Sequence, residues 1–233
     1  MNRSKRIFLE CTGTWENDTN TGIQRVVRNI LKESPLLGDE LGFEAIPVII
    51  KFGRLYLADK PSAVDVSKTG FLNFLKEVYD KTKPVLKSLL PIEKIERFFI
   101  RSARGIFSVI FGVIFFPETI RQYFKPQVIP GAGDVLLLLD SSWAYRVWPS
   151  VKAAKDNGAA VGVVLYDIIP LTHPHFGSET SVKLFKKWFG QALKNVDFFI
   201  CISKSVQNEV ERFLQTNYPW ARPRVRISSF SLG

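Results

Sequence analysis

Cysteine, histidine and long apolar runs are scarce in this 233-residue chain. The two cysteines, Cys11 and Cys201, lie far apart in apolar, strand-like stretches, which argues against a disulfide framework and favours a reducing compartment. The N-terminal stretch has a basic start, but its apolar run is too short for the core of a signal peptide. The sequence therefore predicts a cytoplasmic protein.

Several common catalytic and nucleotide-binding motifs are missing as well. No G-x-G-x-x-G follows the first predicted strand and no P-loop is present, which argues against the usual dinucleotide and nucleoside-triphosphate sites. There is no G-x-S-x-G nucleophile elbow, and no D-x-D pair to hold a metal-bound diphosphate. His173 and His175 could approach one metal ion, but no third ligand stands at a recognised spacing. The sequence predicts neither a metal site nor a cofactor.

What the chain does have is a large apolar fraction and a strong positive charge. Hydrophobic residues make up 46% of it, enough for a real core, and the formal net charge is +10. Such a charge suggests an acidic partner, which could be a nucleic acid, an anionic lipid surface or a phosphorylated small molecule. Charge alone does not choose among them.

The stretch "NDTNTGIQRVVRNIL" predicts a helix with an unusual start. Thr21 and Gln24 have the spacing of a capping box, and an apolar stripe follows at Ile23, Val26, Val27, Ile30 and Leu31. Arg25 stands in the first turn, where the helix dipole disfavours a cation unless an anion binds beside it. Because Gly22 removes side-chain bulk there, the turn could hold a phosphate or carboxylate. The alternative is that Arg25 and Arg28 simply face solvent.

Strands and helices alternate along most of the chain. Buried-strand patterns in "RIFLEC", "GDVLLLLD", "AAVGVVLYD" and "DFFICIS" each precede a helical pattern, and "FEAIPVIIKFGRLYLA" reads as strand, turn, strand. This alternation predicts an α/β fold with a Rossmann-like, doubly wound and mostly parallel sheet.

Residues 61–126 interrupt the rhythm and predict a helical, basic insertion. The apolar run from Ile106 to Phe116 is shorter than the ~20 residues that span a bilayer. Basic residues flank it, as in segments that lie on anionic membranes. The predicted membrane contacts are Arg97, Arg101, Arg104, Phe107, Phe111 and Phe115. The alternative is a helical hairpin packed on the sheet with its basic residues exposed.

Polar residues follow several of the predicted strands. In an open parallel sheet, ligands bind beyond the carboxyl ends of the strands, so these residues should converge on one rim. The predicted rim comprises the loop before the first long helix, together with Asp140, Ser142, Trp143, Tyr166, Asp167 and Ser203. Each Asp or Ser taken singly could equally cap the following helix.

Four blocks of this sequence are similar to the N-terminal domain of family 4 glycosyltransferases of the GT-B fold. These are "NTGIQRVVRNIL", "GDVLLLLDSSW", "VVLYDIIPLTHPHF" and "FFICISKSVQNEV", and bacterial polysaccharide enzymes with a T-G-I-Q-R opening resemble them most. The resemblance implies retaining, metal-independent transfer of a hexose from a nucleotide-sugar to a glycan or lipid-linked acceptor. It also implies two Rossmann-like domains facing each other across a cleft.

The resemblance assigns roles to particular residues. Thr21 and Gly22, with Arg25, match the loop that approaches the donor diphosphate and sugar. Asp167 matches the acidic residue of the H-D-x-x-P block, which lies near the reacting sugar, and is the predicted catalytic residue. Tyr166 stands where the family frequently has histidine, so the usual histidine contact with the transferred sugar is not expected here.

The chain stops where the resemblance places the linker to the nucleotide-binding domain. We therefore expect residues 1–233 to be the acceptor-side half of an enzyme, inactive alone and peripheral at the inner face of the cell membrane. The competing interpretation is a non-catalytic membrane-surface or scaffolding module of the same fold. Nucleic acid is not expected as a partner, because the basic residues flank a dense apolar run instead of forming a polar stripe with stacking aromatics.

Overall fold

The computed structural model describes residues 5–17, 20–58 and 126–231. Met1–Ala58 and Gln127–Gly233 form one compact unit of the chain, and the described residues of this unit carry the sheet and its helices. The predicted insertion at 61–126 and its membrane contacts lie outside the described residues, apart from Pro126.

A single sheet forms the centre of this unit. Its strands are β1 (Lys5–Glu10), β2 (Phe43–Lys51), β3 (Arg54–Leu57), β4 (Val135–Leu138), β5 (Ala160–Leu165), β6 (Phe198–Cys201) and β7 (Arg226–Ser229). They lie in the order β3-β2-β1-β4-β5-β6-β7. Every neighbouring pair is parallel except the β2–β3 hairpin. The prediction of a doubly wound, mostly parallel α/β sheet is confirmed.

Helices connect the strands. They are α1 (Thr12–Glu16), α2 (Gly22–Leu41), α3 (Trp148–Asp156), α4 (Ile169–Thr172), α5 (Glu179–Asn195) and α6 (Lys204–Asn217), with short 3₁₀ turns at Ser142–Ala144 and Pro174–Phe176. The predicted capping box of α2 is present, because the Thr21 side chain accepts from the Gln24 amide and Gln24 reaches back to the Thr21 amide. Ser203 is the N-cap of α6.

The two faces of the sheet have separate cores because the helices cover both. On one face, Leu9, Ile49 and Leu139 pack with Val27 of α2. On the other face, Leu136, Val163 and Phe199 pack with Phe189 of α5 and with residues of α3 and α6. Strands covered on both faces need apolar residues at consecutive positions, which explains the unbroken runs of β4 and β5. Both cysteines are buried in these cores and unpaired.

The order of the strands creates one special position. From β1 the chain turns towards β2, whereas from β4 it continues in the opposite direction towards β5 and β6. Ligands in doubly wound sheets bind at such a switch point, in the crevice beyond the carboxyl ends of the two central strands. Here the crevice lies between the loop after β1 and the loop after β4.

Candidate active site

Asp140 joins the two loops at the switch point. Its carboxylate follows β4 and is almost fully buried. Oδ1 accepts a hydrogen bond from the Ser141 amide at 2.7 Å, and Oδ2 accepts one from the Thr14 amide in α1. A buried carboxylate held by two amides in this way fixes the short helix α1 against the end of β4.

Gly13 stands where α1 comes closest to the opposite loop. A Cβ atom at this position would lie 2.8 Å from the Tyr145 hydroxyl oxygen and 3.1 Å from both carboxylate oxygens of Asp140. The first distance is shorter than the contacts that Cβ atoms make in real proteins, so the Tyr145 side chain or α1 would have to move. Glycine therefore lets α1 sit against Asp140 and Tyr145 without displacing either side chain.

We expect Gly13→Ala to lower the free energy of unfolding by about 2 kcal/mol, as overpacking of a close contact does. Urea denaturation followed by circular dichroism would measure it. The double variant Gly13→Ala/Tyr145→Phe should recover part of the loss, because it removes the hydroxyl nearest to the added methyl group. Gly22→Ala is the control, since a Cβ at Gly22 would meet no atom within 4 Å. Equal stability of Gly13→Ala and the parent would show that the loops are not closely apposed.

Glu10 is a buried acid outside the set of site residues predicted from the sequence. It is the last residue of β1 and has no exposed surface. Oε1 accepts from the Thr12 amide at 2.9 Å, whereas Oε2 has no hydrogen-bond partner among the described residues. Burial raises the pKa of Glu10 from 4.5 to about 7, and the negative charge of Asp140 adds to the rise. The signal in the sequence was a carboxylate ending the apolar run "RIFLEC".

Two tyrosines face this pair of acids. The Tyr166 hydroxyl donates to the carbonyl oxygen of Leu139 at 2.8 Å, which ties the end of β5 to the end of β4. Burial raises the pKa of Tyr166 and that of Tyr145, with smaller contributions from Asp140 and Glu10. Both phenols therefore stay protonated at neutral pH and can donate hydrogen bonds.

Ser142 and Trp143 follow Asp140 in a 3₁₀ turn. Ser142 is buried, and its hydroxyl has no hydrogen-bond partner among the described residues. The ring of Trp143 packs edge-on against Phe185 of α5, with ring centres 6.2 Å apart. Trp143 thus braces the loop after β4 against α5.

Asp167, the predicted catalytic residue, directly follows Tyr166 at the end of β5. Its carboxylate is half-buried, and Oδ1 accepts a hydrogen bond from the Ile169 amide at 3.0 Å. No described residue donates to Oδ2. The carboxylate therefore clamps the turn into α4 with one oxygen. Its catalytic role stays a prediction.

The predicted anion-binding turn begins α2. Arg25 is exposed there, and the Gly22 position is open to solvent on its Cβ side. The side-chain amide of Gln24 donates to the Asn17 carbonyl at 3.4 Å, and the Asn17 side chain donates to the Gly13 carbonyl at 3.1 Å. These contacts connect the start of α2 to α1, and so to Asp140.

Ser203 follows β6. Its side chain accepts a hydrogen bond from the Val206 amide at 3.2 Å and acts as a helix cap.

Two further observations concern metals and membranes. The described residues contain no group of three or more histidine, cysteine, aspartate or glutamate side chains that could share a metal ion. Within the same ranges, no helix is both long enough and apolar enough to cross a bilayer. Membrane contact by the insertion stays a prediction.

Comparison with known proteins points to one kind of enzyme. The chain is similar to serotype-specific mannosyltransferase WbdA proteins of Escherichia coli, with 24% identity over 232 residues in one case and 29% over 236 residues in another. Each alignment covers 99% of this chain but only 22% of the relative. The chain thus spans about a fifth of the length of these curated relatives. No protein-family model matches it, and no solved structure gives a significant match. The similarity supports a glycosyltransferase.

Proposed function

We propose that this chain is the acceptor-side half of a glycosyltransferase that moves a hexose from a nucleotide-sugar to a glycan or lipid-linked acceptor in surface polysaccharide synthesis. One observation carries the proposal: the chain is similar along 99% of its length to mannosyltransferases. The geometry agrees with it, because polar residues from the loops after β1, β4 and β5 meet at the switch point of a Rossmann-like sheet. Mannose is the first sugar to test, since both relatives are named for it.

The start of α2 would hold the donor phosphates. Amide groups at a helix N-terminus point outward and favour an anion, and the missing side chain of Gly22 leaves the approach clear. A bound phosphate would also offset the unfavourable interaction between Arg25 and the positive end of the helix dipole. The capping box fixes Thr21 and Gln24 in place, so the amides are aligned before the ligand arrives.

Asp140 would act as a positioning residue and not as a group that touches the sugar. It is buried and both of its oxygens already accept from amides. Asp140 fixes α1, and the hydrogen bonds of Asn17 and Gln24 connect α1 to the start of α2, which we call the donor turn. Loss of this carboxylate would therefore loosen the donor turn without removing a reacting group.

Asp167 would supply the carboxylate at the reaction centre. Oδ1 is fixed by the Ile169 amide, and Oδ2 could orient the acceptor hydroxyl or stabilise positive charge developing on the sugar. No step of this scheme requires a metal ion, and we expect transfer with retention of configuration, as the resemblance to retaining enzymes implies. Trp143, Tyr166 and Ser203 are partly exposed and would line the cleft.

NMR titration of this chain with mannose 1-phosphate tests the proposal at the site itself. We expect saturable amide shifts at Gly22, Ile23 and Gln24 at the start of α2, with smaller shifts around Asp140 and Asp167. Gly22→Val should lower the affinity at least 10-fold while leaving the melting temperature unchanged, because the added side chain enters open space in the free protein. Absence of shifts at the α2 start, or equal affinity in Gly22→Val, would contradict the proposal.

A further inference from the structure

A groove lined by lysines and aromatic rings lies on the outer surface of α5. Its volume is about 550 Å³, and its walls are formed by Lys183, Lys186, Lys187, Gly190, Gln191, Lys194, Tyr218 and Trp220. Helix α5 belongs to the face of the sheet opposite to α2. The groove is therefore a different place from the proposed donor site at the start of α2.

The lysines of the groove form one charged strip. Lys183, Lys187 and Lys194 recur at helical spacing on one side of α5, about 16 Å from end to end at 1.5 Å per residue, and Lys186 lies beside them. All four are exposed. Lys183 pairs with Glu179, whereas the described residues offer no acidic partner to the other three. Like charges at this spacing oppose helix formation, so the strip favours a ligand with more than one negative charge.

Two aromatic rings form the opposite wall. Tyr218 packs against Phe189 and Phe213 in the core, with ring centres 6.3 and 6.0 Å apart, so its position is fixed. Trp220 stands edge-on to Tyr218, with 45% of its surface exposed. An exposed indole beside a fixed phenol offers a stacking surface for a flat or ring-shaped group.

Gly190 is the feature that packing does not explain. Glycine in the interior of a helix is less stable than alanine, and this one lies well inside the 17-residue α5. A Cβ at Gly190 would meet nothing within 4 Å, so no neighbour demands its absence. Its missing side chain instead leaves the floor of the groove open between the lysines and Trp220.

From these features we infer that the α5 groove binds a phosphorylated ligand, with its phosphate on Lys186, Lys187 and Lys194 and a ring-bearing body against Trp220. Lysine is a point-charge donor well suited to phosphate. A purely electrostatic patch would not need aromatic rings. The aromatic wall therefore indicates that the ligand carries a ring as well as a phosphate. The phosphate could belong to a soluble molecule or to a lipid headgroup, and binding to soluble probes and to vesicles separates these sources.

Phenyl phosphate is the simplest probe that carries both features, and inorganic phosphate is its ring-free counterpart. We expect saturable amide shifts along Lys183–Lys194 with phenyl phosphate, and roughly 2- to 10-fold weaker binding of inorganic phosphate, the range that an aromatic contact supplies. Trp220→Ala should abolish that difference. Sedimentation with phosphatidylcholine vesicles, pure or mixed equally with phosphatidylglycerol, tests the lipid source.

Three variants decide the outcome. Lys186→Ala/Lys187→Ala and Gly190→Gln should each weaken phenyl phosphate binding at least 10-fold, and Gly190→Gln should not lower the melting temperature, because glutamine is a better helix former. Lys152→Ala is the control, since Lys152 pairs with Asp156 on another helix. Binding to the mixed vesicles alone, lost in Lys186→Ala/Lys187→Ala, would assign the phosphate to a lipid. No saturable binding of either probe or of the mixed vesicles, or equal binding by the double lysine variant, would overturn the inference.

Discussion

Between pH 5 and pH 8 the parent protein is expected to lose roughly 3 kcal/mol of its free energy of unfolding. Replacing Glu10 with glutamine is expected to abolish this loss. Burial raises the pKa of this carboxyl from 4.5 to about 7 in the folded protein. Each pKa unit corresponds to about 1.4 kcal/mol. Above pH 4.5 the unfolded chain releases the proton while the folded protein keeps it, so the free energy of unfolding falls as the pH rises towards 7. Glutamine cannot ionise and removes this slope.

Urea denaturation at several pH values would measure the effect. The variant should match the parent near pH 5 and exceed it in stability at pH 8. Glu40→Gln is the control, because Glu40 is exposed on α2 and its replacement should leave the pH dependence unchanged. A parent protein equally stable at pH 5 and pH 8, or a Glu10→Gln variant that keeps the full slope, would show that Glu10 is ionised in the folded state.

Local sequence patterns predicted the fold and part of the site. Apolar runs and their spacing predicted the alternation of strands and helices, because burial on both faces of a sheet dictates consecutive apolar residues. That alternation placed Asp140, Tyr166 and Asp167 at strand ends, where the structure has them. Capping of α2 was equally local and equally predictable, since Thr21 and Gln24 act within one helical turn.

Contacts across the switch point could not be predicted in the same way. The hydrogen bond from the Thr14 amide to Asp140 and the close approach of Gly13 to Tyr145 each join residues more than 120 positions apart. They depend on which strands become neighbours, and periodicity within one strand carries no information about that. For the same reason, the packing of the Trp143 ring against Phe185 could not be predicted, and its place in the cleft stays a prediction.

Asp167→Asn is expected to reduce turnover by ~10²-fold or more with little loss of thermal stability. Asparagine keeps the shape of the side chain and an oxygen that can accept from the Ile169 amide, so the turn into α4 should stay folded. It removes the charge that would orient the acceptor or stabilise the developing cation. A lowered melting temperature with near-normal turnover would instead make Asp167 a structural clamp.

Asp140→Asn gives a useful contrast in the same assay. This carboxylate accepts from two amides, and the NH₂ group of asparagine cannot accept from either of them. We expect this variant to lose stability as well as turnover, whereas Asp167→Asn should lose turnover alone. The difference separates a positioning residue from one at the reaction centre.

Release of nucleoside diphosphate from nucleotide-sugars tests the proposed reaction most directly, because it requires no knowledge of the acceptor. It should be measured on a protein that joins this chain to the donor-binding domain implied by the resemblance, with and without EDTA. We predict sugar-dependent release that persists in EDTA, that falls ~10²-fold in Asp167→Asn, and that is unchanged in Lys152→Ala. Release that Asp167→Asn leaves at the parent rate would contradict the placement of the reaction at this edge of the sheet.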